Sequence, residues 1–305
     1  MKIVSSDAPI LQSDRAYNYG DGVFTTIRVL NHTPELLPWH LSRLSYDTSA
    51  LGIHIDIERL QSAIIAFIAE QREKIRQNAD DHTNDVHEND ADKNEHQDNG
   101  QYVLKVHISG GEAGRGYARD QSQPSLVRLS VHAYPKHYDA MRQRGINAIS
   151  ANTALAIQPV LAGIKHMNRL EQVLIKREVE EAGADDAIVC DTNENLIEAS
   201  AGNLFFFATG AWYTPSLKGS GVNGVVRQCL VQGLLNDNVT LNVGEYSLEQ
   251  LKAAQAVVIT NALMGIMPVS SVTFHDSTTV KYAIDHAEIE YLNKLLHANK
   301  QARTL

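Results

Sequence analysis

The sequence predicts an α+β protein built in two lobes, and three observations carry that prediction. Its 305 residues suit two modest compact units better than one large core. The first half mixes alternating β-branched runs with amphipathic helical runs. The second half opens on a helical pattern and continues as a meander of short strands separated by turn residues. A composition of 43% hydrophobic and 21% charged residues is ordinary for a globular chain and excludes disordered and fibrous classes.

In the first half, "YGDGVFTTIRVLNHTP" reads as a strand hairpin. Pro38, suited to a first helical position, opens a helix that carries Arg43. "ERLQSAIIAFIAEQREKIRQ" places Leu60, Ile64, Ile65, Phe67, Ile68 and Ile75 at helical spacings, and "YVLKVHIS" alternates as a strand. "SLVRLSVHAYP" and "GINAISANTAL" predict two further strands around a short helix, "HYDAMRQRG". The first lobe is therefore drawn as residues 1–155 and the second as 156–305.

The second lobe opens on a helix in which Leu170, Val173, Leu174 and Arg177 recur at helical offsets, with Gly183 placed as its C-terminal cap. "DAIVCD" and "NLIEAS" flank the turn "TNEN", and "NLFFFA" and "AWYTPS" flank "TG", giving two successive hairpins. "SLKGSGVNGVVRQCLVQGLL" passes from a glycine-rich loop to a helix starting near Val225. Free N–H groups at such a start favour a phosphate, although most glycine-rich approaches to a helix are plain turns.

The charge distribution excludes several functions. Residues 78–100 hold eight acids against Lys93, a local charge of −7 within a formal total of −9, so the remainder is close to neutral with no basic face for nucleic acid. This acidic stretch has too few apolar side chains to offset its ordering entropy and is expected as a disordered loop. Its histidines, His82, His87 and His96, lack a framework that would fix metal geometry, so no metal is expected. No run reaches the roughly eighteen apolar residues of a membrane span, and the N-terminus lacks the pattern of a secretory signal. Two cysteines, Cys190 and Cys229, suit neither a disulfide framework nor a metal site, so a cytoplasmic protein with reduced thiols is expected.

Five motifs follow one another in order: "RAYNYGDGVFTTIRV…HLSRL", "IKHMNRLEQVL", "NLIEASAGNLFFF", "GVNGVVRQ" and "TNALMGIMPV". Together, from about Asp14 to Met267, they resemble the fold-type IV pyridoxal-phosphate enzymes, the family of branched-chain and D-amino acid aminotransferases. The resemblance implies an N-terminal α/β sandwich and a C-terminal pseudo-barrel with pyridoxal 5'-phosphate between them, and a homodimer. The chemistry of that cofactor needs a lysine for a Schiff base, a carboxylate on the ring nitrogen and groups that hold a phosphate.

On the family pattern, Lys165 matches the Schiff-base lysine, whereas most lysines are merely solvated, as Lys176 is expected to be on its helix face. Glu198 matches the partner of the ring nitrogen. Arg43 and the N–H groups of Val225 and Val226 match the phosphate site, although an arginine on a helix more often makes an i, i+4 pair. Asn203 matches a position that holds local backbone. Asn261 stands where the aminotransferases carry a phosphate-binding hydroxyl. That departure, with Thr25 and Thr26 in "VFTTIRV", resembles the lyase branch. There the expected reaction converts 4-amino-4-deoxychorismate to 4-aminobenzoate and pyruvate, a step of folate biosynthesis. Thr26 and Arg115 are the implied substrate-binding residues; a branched-chain or D-amino acid aminotransferase is the alternative.

Overall fold

A computed structural model of the chain describes residues 1–4, 8–82, 100–112 and 116–301, with side chains except at 78–82 and 301. The described residues form two compact units, one ending at Tyr134 and the other beginning at Pro135. The division falls earlier than the expected boundary at 155. The reason is strand pairing: Ile146–Ser150 pairs in parallel with Val269–Thr273 and with Asp186–Ile188, so it belongs to the second unit's sheet.

The first unit holds β1 (Lys2–Val4), α1 (Arg15–Tyr19), β2 (Gly22–Leu30), β3 (Thr33–Pro34), α2 (Leu37–Ala50), α3 (Ile57–His82), β4 (Tyr102–Ser109) and β5 (Leu126–Ala133). Its sheet runs β1-β5-β4-β2-β3. Because side chains alternate along a strand, Val23, Thr25, Ile27 and Val29 of β2 are buried beside Leu104, Val106 and Ile108 of β4. Phe24, Thr26 and Arg28 take the other face. α2 lies against β2 and carries Pro38 in its first turn, as the sequence suggests.

The acidic stretch begins differently from expectation. α3 continues through His82, because extending an existing helix adds one hydrogen bond per residue without a new nucleation cost. Residues 83–99, with His87 and His96, lie outside the described residues. Among those described, no group of three or more His, Cys, Asp or Glu is placed to hold a metal.

The second unit holds α4 (His137–Arg144), β6 (Ile146–Ser150), α5 (Leu170–Glu181), β7 (Asp186–Cys190), β8 (Leu196–Ala199), β9 (Asn203–Ala208), β10 (Ala211–Pro215), α6 (Val225–Asn236), β11 (Leu241–Gly244), α7 (Leu248–Lys252), β12 (Ala256–Asn261), β13 (Gly265–Thr273), β14 (Thr279–Lys281) and α8 (Ala287–Gln301). Strands β9-β12-β13-β6-β7-β8 follow one another, and β8 pairs again with β9 through Glu198 and Asn203. The six strands therefore close into a ring. Ile188, Leu204, Phe206, Val257, Ile259, Met267 and Val269 belong to one of its buried clusters.

Both predicted hairpins are present. The Asp191 carboxylate accepts from the N–H groups of Asn193 and Asn195 to set the first, and Thr209 and Gly210, at φ 49° and 77°, form the tight turn of the second. Gly183 ends α5 at φ 63°, with the next N–H reaching back to Val179 O.

α5 does not bury the apolar residues that reveal it in the sequence. Ile175 and Val179 pack against Ala187, Val189 and Ile197, while Leu170 is 79% exposed and Val173 and Leu174 are also exposed. Lys176 is half-buried rather than freely solvated, its Nζ donating to Asp185 O at 3.4 Å.

Candidate active site

Lys165 sits in the irregular segment that precedes α5, and that segment is held from two sides. Gly163 N–H donates to Gly221 O at 2.9 Å, and Asn223 N–H donates to Gly163 O at 2.9 Å. From the other side the Arg169 guanidinium folds back, with Nε donating to His166 O at 2.9 Å and Nη2 to Ile164 O at 3.1 Å. The two carbonyls flank Lys165, so the arginine brackets it. Burial, helped by the charges of Arg169 and Lys165, pushes the His166 imidazole down to about 4, leaving it neutral at pH 7.

Glu198 lies in β8 and is buried. Its Oε2 accepts from Val222 N–H at 2.8 Å. Burial raises its pKa above the ordinary glutamate value, against the opposing effects of that hydrogen bond, of the positive Arg169 and Lys165, and of Gln172. Arg169 and Lys165 favour the ionised form of this buried carboxyl, and it is the carboxylate that a protonated ring nitrogen would be attracted to.

Val222 belongs to the loop Gly221–Gly224, which leads into α6. Gly224 is the N-cap at φ −63° and ψ 146°, with no side-chain cap on the helix. The N–H groups of Val225 and Val226 thus open a 12-residue helix at the positive end of its dipole. A planar anion or phosphate suits that end. Nearby, Arg227 is buried with Nη1 on Asn223 Oδ1 at 3.2 Å and Nη2 on Pro215 O at 3.0 Å, and burial pushes it down to about 10.

Asn261 ends β12. Its Oδ1 accepts from the N–H groups of Leu263 and Met264 at 2.9 and 2.8 Å, and Nδ2 donates to Ala201 O at 3.0 Å. Its side-chain oxygen is thus committed to the local turn. The hydroxyl at this strand end belongs to Thr260, which is buried and lacks a hydrogen-bond partner among the described residues.

The remaining candidates belong to the first unit. Arg43 is buried in α2, and its Nη2 donates to Thr25 Oγ1 at 2.5 Å; that oxygen is also 2.6 Å from His40 Nδ1. The i, i+4 carboxylate of Asp47 is 3.9 Å from Arg43 Nε. Thr26, on the opposite face of β2, pairs in register with Lys105. Arg115 lies outside the described residues. Beyond it, Arg15 donates to the carbonyls of Gly116, Tyr117 and Ala118 and to Asp21.

Within the second unit, one loop therefore brings Lys165, Glu198 and the start of α6 together. Two contributors escape the sequence reading, Val222 and Arg169. Arg169 has a legible signal: as the N-cap of α5 it places a cation at the positive end of a helix, where one is disfavoured unless it serves another contact.

Residues 22–272 match the family described as amino-transferase class IV. An aminodeoxychorismate lyase of Vibrio harveyi is 31% identical over 262 residues, 85% of this chain and 86% of the relative. The crystal structure of a 4-amino-4-deoxychorismate lyase from Pseudomonas aeruginosa superposes with a TM-score of 0.80 at 30% identity, covering 95% of each chain. A Mycobacterium tuberculosis protein described as a hypothetical aminotransferase in its PLP-bound form shares the fold, at a TM-score of 0.76 and 17% identity, covering 98% of this chain and 96% of its own.

Proposed function

The chain belongs to the amino-transferase class IV family, and from that premise we propose that it is an aminodeoxychorismate lyase using pyridoxal 5'-phosphate, which takes 4-amino-4-deoxychorismate to 4-aminobenzoate and pyruvate in folate biosynthesis. The observation that carries this reading is the loop Gly221–Gly224, which links the lysine segment, the buried carboxylate and an uncapped helix start.

The donor set fits the cofactor. Glu198 would hold the ring nitrogen in its protonated form, the N–H groups of Val225 and Val226 would hold the phosphate, and Lys165 would supply the covalent anchor. When bound, pyridoxal 5'-phosphate offers a carbonyl that an amine can condense with and a ring that draws electrons from the substrate carbon.

With its amine free, Lys165 would be the base that takes the proton from the amine-bearing carbon of the substrate. Loss of that proton and cleavage of the neighbouring ether C–O bond aromatise the six-membered ring. The enolate of pyruvate departs and takes up a proton at its methylene carbon, which Lys165 can return. The sum is a redox-neutral elimination, with every proton held by a residue of the site or by water. Glu198 would hold the positive charge on the ring nitrogen of the bound cofactor, and Arg169 keeps the backbone on either side of Lys165 in place. On the family pattern alone, Arg43 would be a further phosphate ligand and Thr26 and Arg115 substrate ligands, whereas Asn261, expected at the phosphate, spends its side chain on Ala201, Leu263 and Met264.

A homodimer is the working unit, a reading supported by the exposed apolar side chains of Leu170, Val173 and Leu174 along α5. No helix among the described residues is long and apolar enough to cross a membrane. The free thiols of Cys190 and Cys229 support a cytoplasmic location.

The test is to incubate the protein with 4-amino-4-deoxychorismate and assay both products, then with a D- or branched-chain amino acid and 2-oxoglutarate and assay glutamate. Equal yields of 4-aminobenzoate and pyruvate are expected. Glutamate without pyruvate would establish the aminotransferase instead. Borohydride should fix the cofactor to the wild-type chain and not to Lys165→Ala.

A further inference from the structure

Asn203 begins β9 and is buried, standing in register with Glu198 of β8 on one side and Thr260 of β12 on the other. Its side chain leaves the sheet and meets the loop before α6. Nδ2 donates to Val222 O at 2.7 Å, and Oδ1 accepts from Gly224 N–H at 3.1 Å. Gly224 N–H also points back at Val222 O, at 2.9 Å. The carboxamide thus lies edge-on against a tight backbone turn, as a neighbouring peptide group would, with one donor and one acceptor at fixed spacing.

Val222 is thereby gripped at both of its polar groups. Its carbonyl is held by Asn203 and its N–H is spent on Glu198. Two residues on, Gly224 sets the direction in which the Val225 and Val226 N–H groups point. A β-carbon at Gly224 would collide with Asn203 Oδ1, so glycine there and asparagine at 203 form a matched pair. Asp or Ser at position 203 could supply only part of this contact.

We infer that Asn203 is a positioning residue which aims the backbone N–H groups of Val225 and Val226 at the cofactor phosphate while keeping them in register with Glu198. The inference rests on the functional reading above. Its signature is specific to the phosphate. Without the amide, the Val222 carbonyl and the Gly224 N–H each lose one partner and are left with each other across the tight turn, so the approach to α6 relaxes, whereas the lysine segment keeps its own hold on the loop through Gly163.

The test measures dissociation constants of pyridoxal 5'-phosphate and of pyridoxal, which lacks the phosphate, on wild type and variants. Asn203→Ala should weaken the phosphorylated cofactor about 10- to 100-fold, the factor expected from losing two hydrogen bonds, and pyridoxal much less. A parallel loss for both cofactors, or for neither, overturns the inference. Gly224→Ala, which displaces the amide while leaving it present, should reproduce the phosphate-selective loss. Adding Asn203→Ala to it should cost little more, because both changes break one contact. If Asn203→Ala does not fold, Gly224→Ala decides alone: a phosphate-selective loss upholds the inference, and an unselective loss or none overturns it. Failure of the wild type itself to bind pyridoxal 5'-phosphate would strike the functional reading, a result distinct from unselective losses in the variants.

Discussion

Glu198 and Val222 are joined by a 2.8 Å hydrogen bond from a backbone N–H to a buried carboxylate whose pKa is raised, chiefly by burial. A raised folded-state value means that the folded protein holds this proton more tightly than the unfolded chain. The resulting stability is present below the ordinary glutamate range and is lost as pH rises through the folded value. Glu198→Gln should therefore make the cofactor-free protein melt higher than wild type at pH 8 and flatten the pH dependence of its Tm. With cofactor, turnover should fall by about 10²- to 10³-fold, as when one charge-stabilising group is removed from an active site. Identical Tm profiles in the two apoproteins would contradict the assignment.

Arg169 brackets Lys165 by holding the carbonyls on either side of it. Arg169→Gln cannot reach both. The expected result is an about 10- to 100-fold lower kcat with substrate affinity largely kept, since the lysine is displaced rather than removed. Steady-state kinetics and the rate of borohydride-sensitive bond formation would both report it. An unchanged kcat would argue against the bracket.

Asp21 pairs with Arg15 at 2.6 Å and with Arg119. Burial pushes its carboxyl up, but the two guanidinium groups prevail and hold it below the ordinary aspartate value. A depressed folded-state value stabilises the protein at neutral pH, and that stability is lost as pH falls below the ordinary aspartate range. Asp21→Asn should cost about 3 kcal/mol at pH 7, because two cations lose their counter-charge, and chemical denaturation would read it. A cost that persists undiminished at pH 3 would sink this account.

Gly202, in the "SAGN" turn between β8 and β9, lies so close to β12 that a β-carbon would stand 2.6 Å from Ile259 Cγ2 and 2.9 Å from Thr260 O. Gly202→Ala should lower stability by about 1–3 kcal/mol, because the turn must move off a packed strand. Gly183→Ala offers a control. Nothing lies within 4 Å of its added carbon, so any cost there comes only from its φ of 63°. Thermal unfolding of the pair separates crowding from backbone strain.

Much of the fold was legible because its signals are local. Alternation along Gly22–Leu30, helical spacing from Leu60 to Ile75 and the turns "TNEN" and "TG" each depend on residues within a few positions of one another. Errors came where distant partners decide. Ile146–Ser150 was placed in the first lobe because nothing nearby reveals that Val269–Thr273 will pair with it. The stripe Leu170, Val173, Leu174 predicted a helix correctly but not its buried side, since the packing surface is supplied by β7 and β8.

The same division applies to the site. By itself the sequence determined the family, through five ordered motifs, and with it Lys165 and Glu198 as the residues to examine. It also marked the glycine-rich approach to α6, because helix starts and glycines are local features. Only the tertiary structure decided that one loop ties these parts together, with Gly163 on one side of Val222 and Glu198 and Asn203 on the other. On the loop's side these bonds are made by backbone N–H and C=O groups, which every residue carries alike, so the loop's own sequence does not announce its partners until the strand ring closes and brings residues 163, 198, 203 and 222 within reach of each other.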